Sequence, residues 1–254
     1  MRLRHVLIIA LFIGGFLLTA FASWQLWIGF RDDAAAEGEY TELRDQLSAQ
    51  IFAEPAVSPS PGTPDETADI LYTPPEADYR MDMRYFIERN PDFVGWISIA
   101  GTTISYPVVQ GTDNAYYLYT TFTGQPNPAG SIFMDYRAET SFETPLAVLY
   151  GHNMRNGSMF APLHQFLDTD FLTRYPEIIV INAEGETLVY HIFNVRWTDA
   201  WDDLYSIDFN SETAAALHFE GAPERANRFL VLSTCADSAN RNARLLVYAA
   251  RIGD

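Results

Sequence analysis

The chain opens on an unbroken apolar run. From Val6 to Phe30 only Thr19, Ser23 and Gln25 are polar. A helix of ~25 residues rising ~1.5 Å each exceeds the ~30 Å hydrocarbon core of a bilayer. Trp24 and Trp27 lie near its far end, where amphipathic aromatic rings favour the interface. Arg2 and Arg4 precede the run and Asp32 and Asp33 follow it, which sets the N-terminus inside and the body outside. Ala20-Phe21-Ala22 has the small-residue spacing of a signal-peptide cleavage site. The apolar run continues past it through Trp27, Ile28 and Phe30, which favours an uncleaved anchor.

The period then changes. Over 34–52, Tyr40, Leu43, Leu47 and Ile51 recur at spacings of three and four, predicting a helix with one apolar face. That face is short of bulk, so a free stalk and a helix docked weakly on the body both fit. Residues 53–79 are rich in acids and in proline (Pro55, Pro59, Pro61, Pro64, Pro74, Pro75), a composition that predicts an extended linker. The organisation expected is an anchor over 1–31, a juxtamembrane helix and linker over 32–79, and a folded domain over 80–254.

Within that domain a short helix over 81–89 should end at Asn90-Pro91. Period two follows: runs at 94–99 and 104–109, separated by the turn residues Ala100-Gly101-Thr102, predict a hairpin. Further strands are expected at 131–136, 146–150, 178–182, 187–197, 229–233 and 245–251. Helical insertions fit 115–119, 159–167 and 211–219, the last opened by Ser211 and Glu212. Many short strands with few helices suggest a mainly β domain, a closed or nearly closed barrel. About 175 residues suffice for its core.

Charge and composition remove several function classes. A net charge of -17 argues against a nucleic-acid partner. All 16 basic residues are arginine, so no lysine is available for Schiff-base chemistry. No metal-ligand spacing appears and no cofactor is expected. The single cysteine, Cys235, ends an apolar run; exported proteins generally pair their cysteines, so a lone thiol outside the membrane suggests reactivity. A buried structural cysteine is the competing reading.

A thiol with a reference pKa near 8.5 needs a helper, usually a histidine close in space. His5 flanks the apolar run, His191 lies inside a strand, and His164 and His218 fall in predicted helices. His152 differs: it follows the strand over 146–150 and Gly151, and opens a polar loop. Such strand-to-loop junctions often carry catalytic groups. An oxyanion donor is the third need, and Arg241 and Arg244 both follow the cysteine. Arg244 opens the next strand, whereas Arg241 sits in a polar turn.

Several blocks together resemble class B sortases: Asn90-Pro91-Asp92-Phe93-Val94-Gly95-Trp96-Ile97, Tyr106-Pro107-Val108-Val109-Gln110-Gly111, Gly130-Ser131-Ile132-Phe133-Met134-Asp135-Tyr136, Tyr150-Gly151-His152-Asn153-Met154, Leu232-Ser233-Thr234-Cys235 and Asn242-Ala243-Arg244. They occur in consistent order from about residue 81 to the C-terminus. The resemblance implies an eight-stranded sortase barrel and a membrane-anchored cysteine transpeptidase (a thiol peptidase in type) outside a Gram-positive-type cell. By similarity the catalytic residues are Cys235, His152 and Arg244. The first threonine of the family's Thr-Leu-x-Thr-Cys motif is Val231 here. The implied substrate groove includes Asn114, Leu118, Tyr150 and Ser233, with Tyr205 and Ile207 as further contributors. Asp237, two residues past the cysteine, fits a solvated turn acid better than a third catalytic member.

The implied partners are an exported protein cleaved after Thr in a C-terminal sorting motif, and an amine acceptor from a peptidoglycan precursor or a pilin. A hydrolytic thiol peptidase and an inactive surface-binding module remain the alternatives.

Overall fold

The computed structural model describes residues 2–52, 80–206, 219–235 and 242–252. The expected linker, Ile207, Asp237, Arg241, His218 and nearly all of the helix expected over 211–219 lie outside those residues.

The apolar run and the amphipathic stretch after it form one helix, α1 (Arg2–Phe52). Its two halves differ. Phe12, Phe16 and Phe30 are more than 70% exposed, whereas Ala36, Tyr40, Leu43 and Leu47 are buried against the body. Among the described residues α1 is the one helix long and apolar enough to cross a membrane. Of the two states compatible with the sequence, the docked helix is the one observed. Tyr40 stands edge-on to Tyr106 at 5.2 Å between ring centroids, and the Arg44 guanidinium lies 5.6 Å over the Tyr106 ring.

The body is an eight-stranded closed barrel. Its strands are β1 (Phe93–Ile99), β2 (Ser105–Val109), β3 (Ile132–Met134), β4 (Leu146–Gly151), β5 (Glu177–Asn182), β6 (Thr187–Asp199), β7 (Ala226–Cys235) and β8 (Ala243–Ile252). They pair in the order β1-β2-β3-β4-β7-β8-β6-β5, and β5 closes on β1. The β1–β2 hairpin turns at Gly101, whose φ of 76° glycine adopts without cost. Thr102 secures the turn by donating its hydroxyl to the Ile99 carbonyl at 2.8 Å. The β4–β7 pair is parallel and covered on both faces, so Leu146, Val148, Leu149, Leu230, Val231 and Leu232 are all fully buried. Parallel strands read as continuous apolar runs for this reason. On β6 exposed and buried residues alternate from Thr187 to Ile192. His191 takes one of the exposed positions, 3.8 Å from the Glu177 carboxylate.

Differences from the sequence expectation have local causes. Helix α2 spans Arg84–Arg89, three residues shorter at its start than expected; before it the Met81 N–H donates to the Gly185 carbonyl at 3.0 Å, which ties the chain to the β5–β6 turn. Strand β3 stops at Met134, where Asp135 turns the chain by accepting the Ala138 N–H at 3.0 Å. The insertion expected over 159–167 is a 3-10 helix (Ala161–Leu167). Asp168, in extended conformation, then caps an unforeseen helix α3 (Thr169–Arg174) through the Asp170 N–H. An unforeseen 3-10 turn spans Asp203–Ser206. The insertion expected over 115–119 is the 3-10 turn Tyr116–Leu118.

Candidate active site

Strand register assembles the site. In the parallel β4–β7 pair Tyr150 lies beside Ser233 and Gly151 beside Thr234. His152 follows Gly151 off the end of β4, and Cys235 follows Thr234 as the last residue of β7. In the antiparallel β7–β8 pair Cys235 lies directly opposite Arg244. Three residues separated by up to 92 positions in sequence therefore meet at neighbouring strand ends.

Gly151 permits the approach. A Cβ there would lie 2.5 Å from Ile132 Cδ1 and 2.7 Å from the Phe160 ring, both in the core. Without it the chain passes close over Phe160 and delivers His152 to the rim. His152 Nε2 lies 2.7 Å from the Leu118 carbonyl oxygen. A carbonyl can only accept, so Nε2 carries the hydrogen, and Nδ1 is the nitrogen left for proton exchange. The ring also packs against Tyr119 at 5.7 Å. Its own carbonyl accepts from Phe160 N–H at 2.9 Å, closing the loop that follows.

Asn114, Leu118, Tyr150, His152, Tyr205, Ser233 and Arg244 all line one cavity of about 360 Å³. All the candidate side chains within the described residues are thus brought together. For Cys235 the backbone position is described and falls at the same strand ends; Ile207 lies outside the described residues. Asp202 holds the turn after β6 by accepting from Thr198 Oγ1 at 2.5 Å, Arg196 Nη2 at 2.8 Å and Leu204 N–H at 3.0 Å. That turn delivers Ala200 and Tyr205 to the cavity. Tyr205 and Ser233 share a hydroxyl hydrogen bond of 2.9 Å.

Asp135 and Arg137 carry a role absent from the sequence reading. Asp135 is 0% exposed. Its carboxylate accepts from Arg137 Nε and Nη2 at 2.8 Å each, from Asn114 Nδ2 at 2.9 Å and from the Tyr150 hydroxyl at 2.8 Å. Burial alone would raise its pKa, but the guanidinium and the other donors hold it below the ordinary value. Burial first, and then Asp135, keeps the Tyr150 phenol well above its usual range, so Tyr150 stays a donor. Arg137 also donates to the Tyr205 carbonyl at 3.0 Å. One buried carboxylate thus ties three parts of the cavity wall together. The sequence did carry a signal: an acid directly after Ile132-Phe133-Met134 has to be paired if buried, and Arg137 stands two residues away.

Comparison with known proteins agrees with this architecture. Residues 97–252 match the sortase domain family. Sortase B of Listeria monocytogenes is 43% identical, the match covering 66% of this chain and 73% of that protein. The X-ray structure of Clostridium perfringens sortase B superposes with a TM-score of 0.58 at 32% identity, covering 67% of this chain and 99% of the other. A Streptococcus pyogenes class B sortase involved in pilus biogenesis gives 0.58 at 28% identity, covering 66% and 96%. Barrel order, the groove at its strand ends and these matches lead to one assignment: the chain belongs to the sortase family, as a transpeptidase of class B.

Proposed function

We propose that Cys235, His152 and Arg244 are the reacting groups, and that the enzyme joins an exported protein to a cell-surface amine. The observation that carries the reading is the register that sets Cys235 opposite Arg244 and next to the position where His152 leaves β4. In this mechanism the Cys235 thiolate attacks the threonyl carbonyl carbon of a C-terminal sorting motif, forming a C–S bond. Arg244 donates to the oxyanion that develops, a contribution of about 3 kcal/mol for one well-placed donor. Collapse breaks the C–N bond. His152 gives its Nδ1 proton to the departing amine, leaving a thioester. An acceptor amine then loses a proton to His152 and attacks the thioester, a new amide forms, and the thiolate returns.

Asn114, Leu118, Tyr150, Ser233 and Tyr205 form the walls in which the motif would lie, with Ile207 as a further contributor by similarity. The acceptor fitting this scheme is an amine of a peptidoglycan precursor. The exposed apolar half of α1 supports a single-pass anchor with a cytoplasmic N-terminus and the barrel outside, where both lipid-linked acceptor and substrate would be found. The domain limits proposed are 1–31, 32–79 and 80–254.

The test uses sorting-motif peptides with and without an added amine. Transfer product should appear only with the amine and be lost in Cys235→Ala; persistence of transfer in that variant would refute the assignment. Release of free acid at an unchanged rate with amine present would indicate a hydrolase. Acceptor recovered from cells distinguishes wall attachment from pilin polymerisation.

A further inference from the structure

The group that fixes His152 is itself held from outside the barrel. Leu118, whose carbonyl receives the His152 Nε2–H, ends a 3-10 turn and has no place in any strand ladder. What supports it is the glycine at 130. Gly130 has φ 57°, and a Cβ on it would lie 2.4 Å from the Leu118 oxygen and 2.5 Å from the Tyr117 oxygen. The 130–131 backbone therefore packs directly under those two carbonyls. Ser131 N–H donates to Tyr117 O at 3.0 Å, and Ser131 Oγ donates to Thr120 O at 2.8 Å. Asn127 N–H reaches Tyr119 O at 2.9 Å.

Helix α1 grips this same loop at three places. The Tyr40 hydroxyl donates to Gly130 O at 2.6 Å, with Ser131 Oγ 3.3 Å away. Glu39 Oε1 accepts the Thr123 N–H at 2.9 Å, and the Asp32 carbonyl accepts from Asn127 Nδ2 at 2.8 Å. Tyr40 is 1% exposed, and its burial pushes the phenol pKa far above the usual range, so it donates at any physiological pH.

We propose that α1 is a positioning element for the active site, in which Tyr40 holds Gly130 and Ser131 so that the Leu118 carbonyl keeps His152 in its Nε2–H form. This rests on the reading of His152 as the acid–base group. The charged and titratable groups sharing the cavity with His152 are Arg137, Arg244, Tyr150 and Tyr205, with Tyr119 against its ring; Cys235 ends the neighbouring strand, one residue past the Gly151–Thr234 pair. None of them is on α1, so Tyr40 acts through the 117–131 loop. The helix that reaches the membrane and the histidine that moves the proton are thereby joined through two hydrogen bonds and one glycine contact.

The test uses the full-length chain in detergent micelles, with two readouts: the pseudo-first-order rate of iodoacetamide alkylation at pH 7, specific because the chain has one cysteine, and the ¹⁵N signal that reports the His152 tautomer. Tyr40→Phe should slow alkylation about three- to tenfold, the scale of one lost hydrogen bond, and convert a single Nε2–H signal into a tautomer mixture. Glu39→Ala should act in the same direction, more weakly, and serves if Tyr40→Phe does not fold. Tyr190→Phe is the matched control, since it removes an equally buried hydroxyl from a backbone carbonyl elsewhere, that of Phe142 at 3.2 Å; it should leave both readouts unchanged. Alkylation insensitive to His152→Ala would instead count against the catalytic role of His152, and the tautomer signal would still decide the positioning. Wild-type tautomer and rate in both α1 variants, or an equal effect of Tyr190→Phe, would overturn the proposal.

Discussion

The two walls of the groove are built by different means. One is made of strand ends: Tyr150 and Gly151 on β4, Ser233 and Thr234 on β7, and Arg244 on β8. Backbone ladders fix these residues, and a change of register by one would turn every side chain to the other face. The other wall is made of turns and loops that bring Asn114, Leu118, Arg137, Ala200 and Tyr205. No ladder holds it. In its place stand a buried carboxylate with four side-chain hydrogen bonds, an Asp202-centred turn, and three contacts from α1. Under the proposed mechanism the two walls divide the labour: the strand wall would carry the chemistry, and the loop wall would hold substrate and histidine in place.

The largest expected effect lies on the strand wall. Arg244→Ala should lower kcat by about a hundredfold or more, the scale of one lost oxyanion donor, with little change in thermal unfolding. Arg244→Lys should recover only part of that, because an ammonium lacks the planar fork of donors. A kcat near wild type in Arg244→Ala would move the chemistry away from β8 and break the division.

Asp135→Asn probes the loop wall next. Losing one partner of a buried ion pair costs about 3–5 kcal/mol. Asparagine keeps part of the hydrogen bonding, and Arg137 is 30% exposed, so about 2 kcal/mol is expected in denaturant unfolding at pH 7. KM should rise more than kcat falls. The pH dependence has a definite sign. The Asp135 carboxyl is held below its ordinary 3.8, so its contribution is complete above that value and is lost as pH falls through the lower folded-state one. The stability gap between wild type and Asp135→Asn should therefore be constant above about pH 5 and narrow below about pH 4. A gap independent of pH would mean that the carboxylate's charge is not what holds this wall.

The smallest effect is expected for Tyr205→Phe. It removes the 2.9 Å bond to Ser233 that joins the two walls, worth about 1 kcal/mol, or roughly fivefold in kcat/KM. A much larger loss would give Tyr205 a chemical role.

The same contrast explains what could be read from sequence. Every expected strand is present, because period two and continuous apolar runs report burial directly. Cys235, His152 and Arg244 each end, follow or open such a run, but position alone leaves a weak constellation, and it is the ordered resemblance to class B sortases that selects the three as candidates. The docking face of α1 was visible as Tyr40, Leu43 and Leu47, but not its depth, which depends on Tyr106 sixty-six positions away. The Asp135 hub was hidden because its partners arrive from separate loops; Arg137 meets the Tyr205 carbonyl across 68 residues. Helix α3 is not legible in the pattern because the extended Asp168 both interrupts one helical run and starts another.

The proposed function rests on thioester formation between Cys235 and the sorting motif. Intact-protein mass spectrometry of acid-quenched reactions with a sorting-motif peptide tests it most directly. The expected adduct adds the mass of the peptide acid through its threonine less one water, maps to the fragment containing Cys235, is released by hydroxylamine and is absent in Cys235→Ala. Turnover of the peptide by Cys235→Ala, or an adduct on any other residue, would contradict it.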